Sequence, residues 1–141
     1  MKTYVICDQC GQTNKVETEP MKTPVCGACQ TALPVHGALV TATDRSLAKL
    51  IAKSPLPVVV DVWAPWCGPC RAFAPTFEEA SREFAGRYVF VKINSQDNPQ
   101  WPSQLGVRGI PTLIVFRDGQ EVTRVAGAMP ANDFTNWLKG V

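Results

Sequence analysis

Six cysteines occur in this 141-residue chain as three Cys-x-x-Cys pairs, and their neighbours differ. Cys7/Cys10 and Cys26/Cys29 lie in a polar N-terminal segment. Cys67/Cys70 lies within Trp66-Cys67-Gly68-Pro69-Cys70, directly after an apolar run. Pairs at this spacing either hold a metal or exchange electrons, and the surroundings decide which. The N-terminal four form Cys-x2-Cys-x15-Cys-x2-Cys, within the spacing of four-cysteine zinc sites. Each pair turns two sulfurs toward one metal. Four thiolates complete a tetrahedral Zn²⁺ with no open position, so the site is expected to be structural. Gly11 suits the sharp turn after Cys10, whereas Gln30 after Cys29 departs from that preference. Two disulfides or four spare thiols form the alternative reading. His36, the only histidine, is expected to be an exposed linker residue rather than a ligand.

Cys67 is placed differently. It ends a loop after a strand and opens a helix, where unpaired N–H groups and the helix dipole lower a thiol's pKa. Cys70 follows at i+3 on the same helix face, about 5–6 Å away, close enough for a disulfide. Pro69 is tolerated in the first turn, and Gly68 removes bulk where a substrate chain must come close. Asp61 sits within Val58-Val59-Val60-Asp61-Val62-Trp63, a run that is apolar on both faces apart from this carboxyl. Burial there raises a carboxyl pKa and suits it to take the proton from Cys70. Trp63 is expected to be a core aromatic, and Trp66 an exposed lip of the site.

These groups need a scaffold, and the chain past residue 36 supplies its signals. A strand is expected over residues 38–41. Thr43 or Asp44 then caps a helix to Lys53 that turns Leu47, Leu50 and Ile51 inward. The run 58–63 reads as a strand buried on both faces. Residues 67–84 read as a helix, kinked at Pro75, with Phe73, Phe77, Ala80 and Phe84 on one side. A strand over 88–94, a short helix over 98–105 and strands over 112–117 and 121–125 follow, the last two joined by Asp118-Gly119. Trp101 is expected in the core, and a helix over 130–139 closes the chain. This order implies an α/β fold, a mixed central sheet with helices on both faces.

After Met1, residues 1–35 offer only Tyr4, Val5, Ile6, Val16, Met21, Val25, Leu33 and Val35 as large apolar side chains. So short a segment cannot offset its ordering entropy unaided and needs a metal staple. Two domains are therefore expected, a zinc-ribbon or knuckle-like unit at 1–35 and a catalytic domain at 36–141. A net charge of +2 with no basic run gives no reason to expect nucleic-acid binding. No apolar stretch reaches the roughly 20 residues of a membrane span. The N-terminus turns polar before a signal-peptide core forms, so a cytoplasmic protein is expected.

From Asp61 to Cys70 the chain resembles the active-site strand and turn of the thioredoxin family. Gly109-Ile110-Pro111-Thr112 resembles that family's cis-proline loop, and Gly127 falls in its third substrate-facing loop. The resemblance covers residues 36–141, and the four-cysteine extension is similar to that of the second, zinc-binding bacterial type. It implies a thioredoxin fold and protein-disulfide reduction, with Cys67 as nucleophile, Cys70 as resolving thiol, Asp61 as base and Lys92 beside it. Trp66, Gly68, Pro69, Ile110, Pro111 and Gly127 would face the substrate. Arg71 keeps the charge of a lysine often found there. The implied partners are disulfide-containing proteins and an NADPH-dependent thioredoxin reductase, with one structural zinc, no organic cofactor and a monomeric chain. Oxidation of the N-terminal thiolates is expected to eject the zinc. A zinc-dependent binding module on this scaffold, or a disulfide oxidant or isomerase, is the alternative. Oxidants of this fold usually carry a histidine between the cysteines, and none occurs here.

Overall fold

The computed structural model describes residues 1–19 and 22–141. Met21, counted above among the apolar residues, lies outside them. Strands β1 (Lys2–Ile6) and β2 (Thr13–Glu17) pair as an antiparallel two-stranded sheet. The remaining elements are β3 (Val35–His36), β4 (Leu39–Ala42), α1 (Asp44–Lys53), β5 (Val58–Trp63), α2 (Gly68–Glu83), β6 (Val89–Asn94), α3 (Gln100–Gln104), β7 (Thr112–Arg117), β8 (Gln120–Ala126) and α4 (Ala131–Lys139). Six of the strands form one sheet in the order β3-β4-β6-β5-β7-β8. The β4–β6 and β5–β6 pairs are parallel and the others antiparallel, so the sheet is mixed.

Strand alternation divides the core into two layers. Val58, Val60 and Val62 of β5 join Leu47, Leu50 and Ile51 of α1 and Trp101 of α3 on one face. Val59 joins Phe73, Phe77, Ala80 and Phe84 of α2 and Phe134 and Leu138 of α4 on the other. Phe134 meets Phe73 edge-on at 5.1 Å and lies 5.9 Å from Phe77. Edge-on aromatic pairs each add about 0.5–1.5 kcal/mol beyond their burial.

Helix α1 starts where the sequence suggests: Thr43 is its N-cap, with a reciprocal bond between Thr43 and Ser46. Asp44 also accepts the N–H groups of Gln100 and Trp101, which ties the start of α3 to α1. Helix α2 runs unbroken through Pro75, which lies on its exposed side, where the missing hydrogen bond leaves a carbonyl facing water. Asp118 and Gly119 both take positive φ, 53° and 79°, the type I′ geometry that closes β7 onto β8.

The N-terminal segment, whose packing against the rest of the chain the sequence leaves open, shares a core with α1. Val5, Ile6, Val16 and Leu33 are buried in the same cluster as Leu47, Leu50 and Ile51. The seam is polar at its rim: Asp8 accepts from Thr43 Oγ1 at 2.7 Å and pairs with Arg45 at 2.8 Å. Lys49 donates to the Gly11 carbonyl, and Arg82 pairs with Glu19 at 2.9 Å. His36 is exposed, as expected, although it lies in β3 rather than in a free linker.

Candidate dithiol active site and four-cysteine centre

The loop leaving β5 delivers Cys67 to the N-cap of α2, where its Sγ accepts the Cys70 N–H at 3.2 Å. Cys67 and Cys70 are joined as a disulfide, with Cα atoms 5.2 Å apart. Both are buried, whereas Trp66 beside them is 69% exposed. Gly68 and Pro69 are exposed as well. Cys67 Sγ lies 3.8 Å from the carbonyl oxygen of Ile110, and the Ile110–Pro111 bond is cis. The Gly127 N–H donates to the Pro111 carbonyl at 2.8 Å, so the third loop is laced to the second. Gly127 has φ +99°, a conformation other residues adopt only under strain. Arg71 is exposed at the rim.

Asp61 occupies the same face of β5 as Val59 and Trp63. Val59 packs with Phe73 and Phe77 of α2, and Trp63 packs with Cys67 and Cys70, so the carboxyl lies under the helix that carries the dithiol. It is fully buried, and among the described residues neither oxygen has a hydrogen-bond partner. Burial raises it from an ordinary 3.8 to about 7, against the smaller opposing pull of Lys92. Lys92 is the register partner of Asp61 on β6, yet its Nζ sits over the Trp63 ring, 4.5 Å from the centroid.

A folded-state pKa above the unfolded one means that stability present below about pH 4 is lost as pH rises through 7. A shift from 3.8 to about 7 corresponds to about 4 kcal/mol. Asp61→Asn is expected to abolish that slope and to be more stable than the parent above pH 7 by most of this amount. Urea unfolding at pH 5 and pH 8 measures it, and an unchanged pH dependence in the variant would show that Asp61 is not its source.

The other four cysteines form a second constellation, on the α1 side of the sheet. Cys7 Sγ and Cys29 Sγ are 3.6 Å apart, as are those of Cys10 and Cys26, and all four lie within 4.8 Å of one another. Tetrahedral Zn–S bonds of about 2.3 Å put sulfurs about 3.8 Å apart, so the donor set fits that ion. The two turns are built alike. Gly11 N–H bonds to Cys7 O and Gln30 N–H to Cys26 O, at 2.8 and 2.9 Å.

The Cys29 backbone N–H foremost, then Ala28 N–H and the Asn14 amide, draw the Cys26 thiol down to about 6. At Cys10 the Gln12 backbone N–H lowers the pKa, but desolvation and the other three thiols together push it up to about 12. Four sulfurs this close could together hold one metal ion. Cys7 and Cys26 are buried, while Cys10 and Cys29 are exposed.

The sequence reading missed Asn14. Its side chain accepts from Gly27 N–H at 3.0 Å and donates to Cys26 Sγ at 3.6 Å, tying β2 to the second turn. Nothing in its local sequence marks that role. Gln30, flagged as a departure, takes φ 69°, the left-handed conformation Gly11 holds at 79°. Gln30→Gly is expected to stabilise the protein by about 0.5–1 kcal/mol, relief of strain exceeding glycine's entropy cost. A raised thermal midpoint would show this, and a lowered one would mean the Gln30 side chain contributes more than its backbone costs.

A Cys-x-x-Cys pair at the head of a helix, packed on a mixed sheet beside a cis-proline loop, is the layout of a thiol–disulfide exchange domain. The Thioredoxin family model matches residues 38–140. Thioredoxin 1 of Synechococcus elongatus is 45% identical over 96 residues, covering 68% of this chain and 90% of that protein. Thioredoxin of Haemophilus influenzae is 42% identical over 95 residues, covering 67% and 89%. Thioredoxin C-3 of Corynebacterium nephridii is 35% identical over 136 residues, covering 95% and 92%, so its alignment reaches into the four-cysteine segment. The chain belongs to the thioredoxin family. It is a thiol–disulfide oxidoreductase, and its four-cysteine cluster fits the second bacterial type. No described helix is long and apolar enough to cross a membrane.

Proposed function

We propose that the chain reduces protein disulfides through Cys67 and Cys70, and that Cys7, Cys10, Cys26 and Cys29 hold one structural zinc. The observation that carries the first part is the Cys67–Cys70 pair at the N-cap of α2, on the sheet face that also buries Asp61, whose carboxyl has no partner among the described residues. In the reduced protein the Cys67 thiolate attacks one sulfur of a substrate disulfide. That S–S bond breaks, and the departing sulfur leaves as a thiolate and takes up a proton. Asp61 then accepts the Cys70 proton, and Cys70 Sγ attacks Cys67 Sγ. The second substrate sulfur leaves, and two electrons have passed to the substrate. The Cys67–Cys70 disulfide of the structure is the product of this cycle.

Trp66, Gly68, Pro69, Ile110, Pro111 and Gly127 form the rim against which an extended substrate lies. Ile110 and its neighbours offer backbone hydrogen bonds there. Lys92 modulates the base. The thiolates at 7, 10, 26 and 29 would bind the zinc, which supplies a cross-link when present because four sulfurs leave no open position. Peroxide oxidation of those thiolates to two disulfides would release it. Residues 1–35 and 36–141 are the two functional units, working in a reducing cytoplasm with an NADPH-dependent thioredoxin reductase as electron donor.

The test is a coupled assay. With NADPH, a thioredoxin reductase and a disulfide-bonded protein, NADPH consumption is expected to depend on this chain, and no consumption would overturn the reading. Metal analysis of anaerobically purified protein is expected to find one zinc per chain. Finding none would remove the second part of the proposal.

A further inference from the structure

Lys92 and Asp61 are register partners across the parallel β5–β6 pair, so their side chains leave the same sheet face. Their charges nevertheless do not meet. Among the described residues both Asp61 oxygens are without hydrogen-bond partners, and the Lys92 ammonium lies 4.5 Å from the centroid of the Trp63 ring. The lysine stem is flexible enough to serve either neighbour. What holds it is an anchored indole. The Trp63 carbonyl accepts both Ser95 N–H at 2.8 Å and Ser95 Oγ–H at 3.0 Å, which fixes the end of β5. The ring itself packs with Cys67 and Cys70.

The surroundings of Asp61 leave Lys92 as the charge that matters. Its own strand offers Val59 and Trp63, β7 offers Leu113 as register partner, and α2 packs there through Cys70, Phe73 and Phe77. Apart from the Cys70 thiol in the reduced state, Lys92 is the titratable group acting on the carboxyl. An opposite charge in contact lowers a carboxyl pKa by about 1–3 units. A carboxylate so weakened would be a poorer base for a thiol. An ammonium over an indole gains about 0.5–2 kcal/mol, enough to compete for the position of one lysine.

We propose that Trp63 is a positioning residue: its indole face holds the Lys92 ammonium off Asp61 and thereby sets the basicity of that carboxylate. The inference rests on the reading of Asp61 as the base for Cys70. It also gives the aromatic at the end of β5 a task that packing alone does not, since a leucine could fill a partly buried site.

The experiment is a carbon-13 carboxyl NMR titration of Asp61 in the oxidised protein, where Cys67 and Cys70 cannot titrate. Trp63→Leu is expected to lower the Asp61 midpoint by about 1–3 units. Trp63→Phe, which keeps a π face, should recover at least half of that loss. Lys92→Met should raise the midpoint, and adding Trp63→Leu to it should change nothing further. A Trp63→Leu shift of equal size with or without Lys92, or no shift at all, overturns the proposal. Should Trp63→Leu fail to fold, the parent protein still decides. The Lys92 side-chain protons are expected to be shifted upfield by the indole ring current, and random-coil positions would overturn the contact. The pH profile of mixed-disulfide resolution separates the two readings. If the Asp61 midpoint moves in Trp63→Leu while that profile stays in place, Trp63 sets the carboxyl as proposed and Asp61 is not the base.

Discussion

Replacing Cys67 by serine is expected to reduce disulfide-reductase turnover by more than about 10³-fold, to the rate of the reaction without the protein. A hydroxyl at the α2 N-cap still accepts the Cys70 N–H, so the helix start survives while the nucleophile is lost. The informative comparison is with Cys70→Ser. That variant keeps a thiol at the N-cap, where the helix dipole favours its ionised form, but lacks the second thiol that would displace it. It should therefore attack substrate and stop, accumulating a covalent complex through Cys67 that a reductant releases. Cys67→Ser should accumulate none. Both variants lose turnover to a similar extent because the two thiols act in one sequence of steps. Mass spectrometry of the trapped adducts measures the asymmetry. Equal trapping by the two variants, or trapping by Cys67→Ser alone, would sink the assignment of Cys67 as the attacking group.

How far these positions could be read in advance depends on the range of the interactions that fix them. Val58–Trp63 announces itself because a strand buried on both faces must be apolar almost throughout, and the structure buries Val58–Val62 while leaving Trp63 half-buried. Asp118-Gly119 announces a hairpin because few residues accept two successive positive φ values. Thr43 announces a helix start because its hydroxyl satisfies an N–H three residues on. All three are local signals. By contrast, β1 and β2 are five residues each, broken by Lys2, Lys15 and Glu17, and their alternation is too short to stand out. Their inward residues make sense only once α1 is there to receive them. The Asn14 link from β2 to the second cysteine turn, the Asp8 link to Thr43 and Arg45, and the seat of Lys92 on Trp63 are likewise contacts between distant segments. Residue type restricts such contacts without choosing among them. The spacing of the four N-terminal cysteines reveals a possible cluster, while the shared core with α1 requires the fold.

That shared core makes metal removal the prediction with the widest reach. Stripping the proposed zinc under reducing, anaerobic conditions is expected to unfold the first 35 residues and to weaken, without unfolding, the rest. A two-stranded sheet of five-residue strands is marginal by itself, and zinc binding supplies on the order of 10 kcal/mol to a segment of this kind. Without the ion, four thiolates within 4.8 Å must separate or take up protons, and the turns at Gly11 and Gln30 lose what faces them together. Loss of the segment then uncovers the side of α1 on which Val5, Ile6, Val16 and Leu33 lie, and removes Asp8 from Thr43 and Arg45. The thioredoxin domain should survive this, because the family match starts only at residue 38 and relatives such as that of Synechococcus elongatus align without the extension. Its thermal midpoint should fall by several degrees, at roughly 4 °C per kcal/mol of lost cover. Hydrogen exchange before and after chelation reads both effects at once: protection should vanish in β1 and β2, decline in α1 and persist in β5 and β7. Protection of β1 and β2 that outlasts complete metal loss would mean that the apolar seam with α1, rather than a metal, holds the segment.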